Sequence, residues 1–246
     1  MADRKLHVIL RKEDVDPARL GDKVVVVIDT LFATTTIVHA LSHGARSVTP
    51  ALDGAEARSI AARDVAGGGA APLLAGELNG QTLPGFSYPT PQALAGVGLR
   101  GRRVVYSTTN GTVALRRSRG GHAVYAACLR NARATVVDIL QRHPARTVIL
   151  LCAGSGGSFN VEDFLTAGVL CRHFTSRNAE TALTDSAQAA IHFESSDLGG
   201  ALLASRIGRK YAPQWRTEIE FAGQVDVEAT VAILNGDAVV TATGAS

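Results

Sequence analysis

The 246-residue chain is long enough to bury a sizeable core, and its 46% apolar and 19% charged content is that of an ordinary globular protein. A net charge of +3 without a clustered basic face or aromatic platforms argues against nucleic acid as a partner. No apolar run is long enough for a signal-peptide core or a membrane span, so a cytoplasmic protein is expected, and Cys128, Cys152 and Cys171 read as free thiols in a reducing compartment.

Residues 6–10, behind Met1-Ala2-Asp3-Arg4-Lys5, read as a first strand. The run Val24-Val25-Val26-Val27-Ile28 makes 23–28 a central strand, because continuous β-branched residues suit burial on both faces. A helix over about 34–42 follows, ended by Gly44, and then a short strand over 47–50. Asp53 caps a helix to about residue 65, with Gly67-Gly68-Gly69 as its terminator. Residues 73–76 form a short strand ending at Glu77, and 78–92, holding Gly80, Pro84, Gly85, Pro89 and Pro91, form a loop beside the sheet end. Alternation resumes with a strand at 103–107, a helix at 111–118, a strand at 122–127, a helix at 131–142, a strand at 147–152 and a helix at 162–175. Further helices are expected over about 179–194 and 198–209. The tail, 225–243, reads as β-rich with a hairpin turn at Asn235-Gly236-Asp237. With no linker, low-complexity run or sustained repeat, this alternation predicts one α/β domain over 1–246, its mostly parallel sheet covered on both faces.

The clearest functional signal is Val104-Val105-Tyr106-Ser107-Thr108-Thr109-Asn110-Gly111-Thr112, a strand that turns directly into a helix N-terminus. Free backbone N–H groups and the positive end of the helix dipole meet there, which suits an anion. The same grammar joins Asp29, after the valine run, to Thr34-Thr35-Thr36. It also joins Cys152-Ala153-Gly154, through Ser155-Gly156-Gly157-Ser158, to Glu162-Asp163. Such strand ends imply one shared crevice, since open α/β sheets bind ligands outside the carboxyl ends of their strands. Asp29 ends a buried strand, where a carboxylate is costly unless it meets a cation or strong donors. Glu77 also ends a strand. Glu162 and Asp163 are adjacent and point about 100° apart on a helix, so one can bind an ion while the other acts through water. Asp29, Glu77, Glu162 and Asp163, with the Thr108 and Thr109 hydroxyls, form an oxygen-rich set suited to Mg²⁺ rather than Zn²⁺. The plainer readings are helix caps and first-turn acids. His39 and His43 lack the Glu and third ligand of a zinc motif, and the Gly154–Ser158 run lacks the lysine of a P-loop.

Asp29-Thr30-Leu31-Phe32-Ala33-Thr34-Thr35-Thr36-Ile37-Val38, Leu74-Ala75-Gly76-Glu77, Gly85-Phe86, Thr108-Thr109-Asn110-Gly111-Thr112, Asn131, Cys152-Ala153-Gly154 and Glu162-Asp163 occur in the order found in one known family. The chain thus resembles the Mg²⁺-dependent 2-phosphosulfolactate phosphatases of the ComB type, over about residues 20–190. The resemblance implies a three-layer α/β/α fold and hydrolysis of a phosphate monoester of a small hydroxy acid. It implies catalytic roles for Asp29, Glu77, Asn110, Glu162 and Asp163, with Mg²⁺ on the four carboxylates. Substrate contacts would come from Thr34, Thr35, Thr108, Thr109, Gly111, Thr112, Arg130, Asn131 and Gly154. The partner would be a small molecule, and a homo-oligomer is allowed. Four departures stand out. Phe32 and Leu78 occupy positions where the family pattern carries Arg, Tyr88-Pro89-Thr90-Pro91 replaces Gly-Asn-Ser-Pro, and Glu218-Ile219 stands for Asp-Ile. Neither Phe nor Leu can grip an anion as Arg does, so a less anionic substrate or a changed reaction is expected, with Arg130 as a compensating cation. A repurposed enzyme and a catalytically inactive binding protein remain as alternatives.

Overall fold

The computed structural model describes residues 4–193 and 195–242. Met1-Ala2-Asp3 and the expected element ends at Glu194 and Thr243 lie outside the described residues. In chain order the elements are β1 (Lys5–Ile9), β2 (Val24–Ile28), α1 (Ala33–Ser42), β3 (Ser47–Ala51), α2 (Gly54–Ala66), β4 (Leu73–Leu78), β5 (Gln81–Thr82) and α3 (Pro91–Ala95). They continue with β6 (Arg103–Ser107), α4 (Gly111–Arg117), β7 (Ala123–Ala127), α5 (Ala132–Arg142), β8 (Val148–Cys152) and α6 (Val161–Arg177). The last are β9 (Ala182–Leu183), α7 (Asp185–His192), α8 (Leu198–Ala204), α9 (Arg206–Ala222), β10 (Ala232–Asn235) and β11 (Ala238–Thr241).

The described strands join in one sheet of order β5-β4-β6-β3-β11-β10-β7-β2-β8-β1-β9. Its pairings are parallel except at β4–β5 and at the β10–β11 hairpin, which is antiparallel to β7 on one side and to β3 on the other. The valine run of β2 and the apolar β8 are buried along their whole length, as strands covered on both faces must be. Val24, Val26 and Ile28 pack with α5, α6 and the Ile219 end of α9, whereas Val25 and Val27 pack with Ile37 of α1 and Leu115 of α4. Alternate side chains of one strand thus feed two cores, which gives the three-layer α/β/α arrangement. Among the described residues no helix is long and apolar enough to cross a membrane.

Two expected helices are corrected. Residues 179–194 do not form one helix, because Ala182–Leu183 pairs with Lys5 and Leu6 as an edge strand before α7 begins. The helix expected over 198–209 breaks at Ser205, whose extended backbone (φ −65°, ψ 163°) and hydroxyl, accepting from Gly208 N–H at 2.9 Å, start α9 instead. Helix α9 then runs to Ala222 through a break at Trp215, two residues after Pro213, which lacks the N–H a continuous helix needs.

Glu218 fastens α9 across the molecule, because its carboxylate accepts the Gln92 and Ala93 N–H groups, both at 3.0 Å, at the start of α3. Removing that cap by Glu218→Ala should lower unfolding stability by about 1–2 kcal/mol in a urea titration. An unchanged midpoint would mean that water serves those amides equally well.

Candidate active site

The carboxyl ends of β2, β4, β6 and β8 open into a cleft of about 500 Å³. Its lining includes Asp29, Glu77, Thr108, Thr109 and Asn110 from strand ends, the Ser155–Ser158 turn, and Arg206, Lys210, Tyr211 and Trp215 from α9. Lys12, on the single helical turn after β1, completes it.

Asp29 leaves β2 where the chain enters α1, and it is almost wholly buried. Its carboxylate receives N–H groups from Ala33 at 3.4 Å and from Gly111 at the start of α4. A Cβ at Gly111 would fall 2.7 Å from Asp29 Oδ2 and 2.5 Å from Ala33 Cβ, so only glycine lets α4 approach this closely. Burial, followed by the charges of Glu77 and Glu162, overrides these donors and pushes the Asp29 carboxyl up to about 7. A group poised there can hold or release a proton at neutral pH.

Glu77 has both oxygens engaged. Oε1 accepts from Thr109 N–H at 3.0 Å and its hydroxyl at 3.1 Å, and Oε2 accepts from Gly80 N–H at 2.5 Å. Lys12 Nζ donates to Asn110 Oδ1 at 3.0 Å and to the Ala153 carbonyl at 3.3 Å, and it pairs with Glu13 at 3.0 Å. Arg206 reaches from α9 to Ser155 Oγ at 2.7 Å and Asn160 Oδ1 at 2.9 Å. Lys12, Arg206 and Lys210 therefore bring positive charge to a cleft whose polar floor is Asp29, Glu77, Thr109 and Asn110.

Other predicted site residues lie behind that floor. The Thr34 hydroxyl accepts Asp29 N–H and donates to the Asp29 carbonyl, both at 2.9 Å, and Thr35 donates to the Thr30 carbonyl at 2.8 Å. Thr112 ties down the Thr108 backbone at 3.1 and 2.8 Å. Asp163 accepts Thr30 N–H at 2.9 Å and Gly154 N–H at 3.2 Å, joining the turns after β2 and β8. Burial, with Asp29 and Glu162 nearby, holds its carboxyl well above the ordinary range. Gly154 makes its turn at φ +61°, where a Cβ would lie 2.7 Å from the Ser158 carbonyl. Asn131 is buried, bonded to Cys128 N–H and the Thr230 carbonyl at 3.0 Å each.

Two expectations change. Arg130 is no compensating cation, because its guanidinium stacks 3.5 Å from the Phe221 ring and donates to Glu228 and the Phe221 carbonyl, both at 2.9 Å. Nor do the four carboxylates form one metal cage: among the described residues no three His, Cys, Asp or Glu side chains are grouped to hold an ion. Glu77 and Asp163 have spent their oxygens on N–H and O–H donors. Glu162 is less well served: neither buried oxygen has a hydrogen bond of good geometry, and burial raises its carboxyl although the Ser205 hydroxyl, its own N–H and the Arg206 charge oppose that rise. Asp29 and this weakly satisfied Glu162 are the donors left for a hard cation, and Mg²⁺ commonly uses only one or two carboxylates.

The two positions lacking Arg also differ. Leu78 is exposed and outside the cleft, whereas Phe32 is buried against α9, its ring 5.7 Å from Trp215 and 6.3 Å from Tyr211. Lys12, Arg206, Lys210, Tyr211 and Trp215 escaped the sequence reading. Ile207, Tyr211, Trp215 and Ile219 recur every four residues and could have revealed α9, but Pro213 interrupts the pattern. Applying the strand-end rule to β1 would have drawn attention to Lys12.

Asp29, Glu162 and Asp163 bind protons more readily folded than unfolded. That stability is present at acid pH and is lost as pH rises through about 7 for Asp29. In EDTA the thermal midpoint should therefore be higher at pH 6 than at pH 8, and Asp29→Asn should flatten the difference. A midpoint that rises from pH 6 to pH 8 would contradict the strained carboxylates.

Residues 9–237 match the family described as 2-phosphosulpholactate phosphatase. A protein of Parasynechococcus marenigrum is 39% identical over 176 residues, covering 71% of each chain. One of Caldanaerobacter subterraneus subsp. tengcongensis is 36% identical over 186 residues, 74% of this chain and 68% of its own. One of Symbiobacterium thermophilum is 34% identical over 200 residues, 80% of this chain and 78% of its own. Each carries the name "Probable 2-phosphosulfolactate phosphatase". The match over nearly the whole chain and the identity to these relatives lead to one conclusion: this chain belongs to the 2-phosphosulpholactate phosphatase family, whose members are phosphoric monoester hydrolases.

Proposed function

We propose that the cleft hydrolyses a phosphate monoester, with 2-phosphosulfolactate, for which the relatives are named, as the reference substrate. The observation carrying this reading is Asp29, buried at the floor with its carboxyl near 7, beneath Lys12, Arg206 and Lys210. Those cations neutralise the phosphoryl oxygens, and the Asn110 amide, which uses only one of its two N–H groups on Thr109, adds a donor as negative charge develops. Water attacks phosphorus and gives its proton to the Asp29 carboxylate, while the ester P–O bond breaks and the departing alkoxide takes a proton from a solvent water in the open cleft. Lys12 keeps Asn110 in register through its 3.0 Å hydrogen bond. Asp29 and the weakly satisfied Glu162 would hold Mg²⁺, which would supply charge neutralisation at the phosphoryl group when bound.

Phosphate release from 2-phosphosulfolactate and from simple phosphate esters, with Mg²⁺ and with EDTA, tests the reading. Asp29→Asn should lower kcat at least about 100-fold, the scale of a lost general base. Lys12→Ala should lower kcat/KM by about tenfold or more, the scale of a lost charge-assisted contact. Failure to cleave any phosphate ester under either condition would overturn it.

Mg²⁺ should also raise the thermal midpoint, more at pH 8 than at pH 6, because protons and the ion compete for the same carboxylates. Superimposable melting curves with Mg²⁺ and EDTA at pH 8 would remove the ion from the site.

A further inference from the structure

The cleft has two chemically distinct walls. Hydrogen bonds link Glu77, Thr109, Asn110 and Lys12 into one polar group, with Asp29 buried beside it. Ring contacts link Phe32, Tyr211 and Trp215 into another: Tyr211 lies 5.1 Å from Trp215, and Phe32 meets Trp215 edge-on at 82°. Leu31, Pro89 and Ile207 extend this apolar surface within the same lining. The fold fixes the wall in place. A Cβ at Gly80 would strike the Tyr211 ring, so that glycine (φ +87°) seats the ring against the turn whose N–H holds Glu77. Glu218 anchors the other end of α9 through Gln92 and Ala93. Tyr211 and Trp215 are only partly buried, so ring surface remains open to the cleft.

Lys210 Nζ, 4.9 Å from the Tyr211 ring, can meet an anion at that edge, but a compact ester whose every substituent is charged would leave the Phe32 and Trp215 rings without an apolar partner. About 500 Å³ falls within the range of pockets that enclose ligands larger than a three-carbon acid. We infer that the preferred substrate is a phosphate monoester whose alcohol carries an aromatic or bulky apolar group, stacked on Phe32, Tyr211 and Trp215 while its phosphate faces Asp29 and Lys12. This substrate class rests on the phosphatase reading given above.

Three esters with the same reacting centre separate the two ideas: 2-phospholactate, its 3-phenyl derivative, and 2-phosphosulfolactate, which bears a sulfonate on the same carbon. The phenyl compound should show the highest kcat/KM, by about tenfold over 2-phospholactate, the size expected of one or two aromatic contacts. Phe32→Ala should erase that preference while cleavage of 2-phospholactate falls less. Equal or faster cleavage of 2-phosphosulfolactate would overturn the inference and leave the phosphatase reading standing. A Phe32→Ala loss shared equally by all three esters would also overturn it, since it would mark a purely structural role. Trp215 is the only tryptophan in the chain, so its fluorescence reports occupancy directly. If no ester is cleaved, tighter binding of the phenyl compound than of 2-phosphosulfolactate, seen as a Trp215 emission change, still supports the apolar subsite. No such difference would remove it.

Discussion

The site is organised around one unfavourable placement, a carboxylate buried at the end of the central strand β2. Asp29 gains N–H groups from Ala33 and Gly111, yet burial and two neighbouring acids still hold its carboxyl near 7. Much of the surrounding sequence makes that arrangement tolerable. Gly111 allows α4 to come close, Thr34 and Thr35 lock the turn beneath, and Asp163 pins the neighbouring turn. Strain of this kind persists only where the rest of the structure over-determines it, and it is a recurring mark of sites that bind or move protons.

The acids at the strand ends divide the labour among themselves. Glu77 fastens the Gly80 turn to the Thr109 turn, and Asp163 fastens the β2 turn to the β8 turn. Asp29 faces the cleft, while Glu162, outside the lining, has no hydrogen bond of good geometry and only the weaker influence of Ser205, its own N–H and Arg206. A buried carboxylate with only weak donors is expensive, and a hard cation or a proton relieves it. Four acids in similar sequence settings therefore have different physical roles, decided by how many donors surround each.

Helix α9 determines what else the cleft can recognise. It contributes Arg206 and Lys210 as charge and Tyr211 and Trp215 as apolar surface, and it is tied to α3 through Glu218. Its far end is bound to the body by Arg130, which grips the Phe221 carbonyl and joins Glu228 and His39 in a buried network. Arg130 thus acts on the site only through the placement of α9. The cations that line the cleft come from other elements, Lys12 after β1 and Arg206 and Lys210 in the first turns of α9.

Much of this molecule was determined by local sequence. The valine run made β2 a buried strand, the Thr-Thr-Asn-Gly-Thr turn started α4, and Asp29, Glu77 and Asn110 reach one cleft because strand-end residues of a parallel sheet share an edge. The Asn235-Gly236-Asp237 turn likewise announced its hairpin, but not the position of β10 and β11 between β7 and β3. That position depends on partners about a hundred residues or more away in sequence, which no local pattern encodes. The break at Ser205 and the run of α9 past Pro213 were hidden for a related reason: contacts with Phe32, α3 and Glu228's network override a weak local propensity. The roles of Arg130, Glu77 and Asp163 were decided only by tertiary structure. A side chain's charge can be read from the sequence, but the donors and acceptors that surround it come together only when the chain folds.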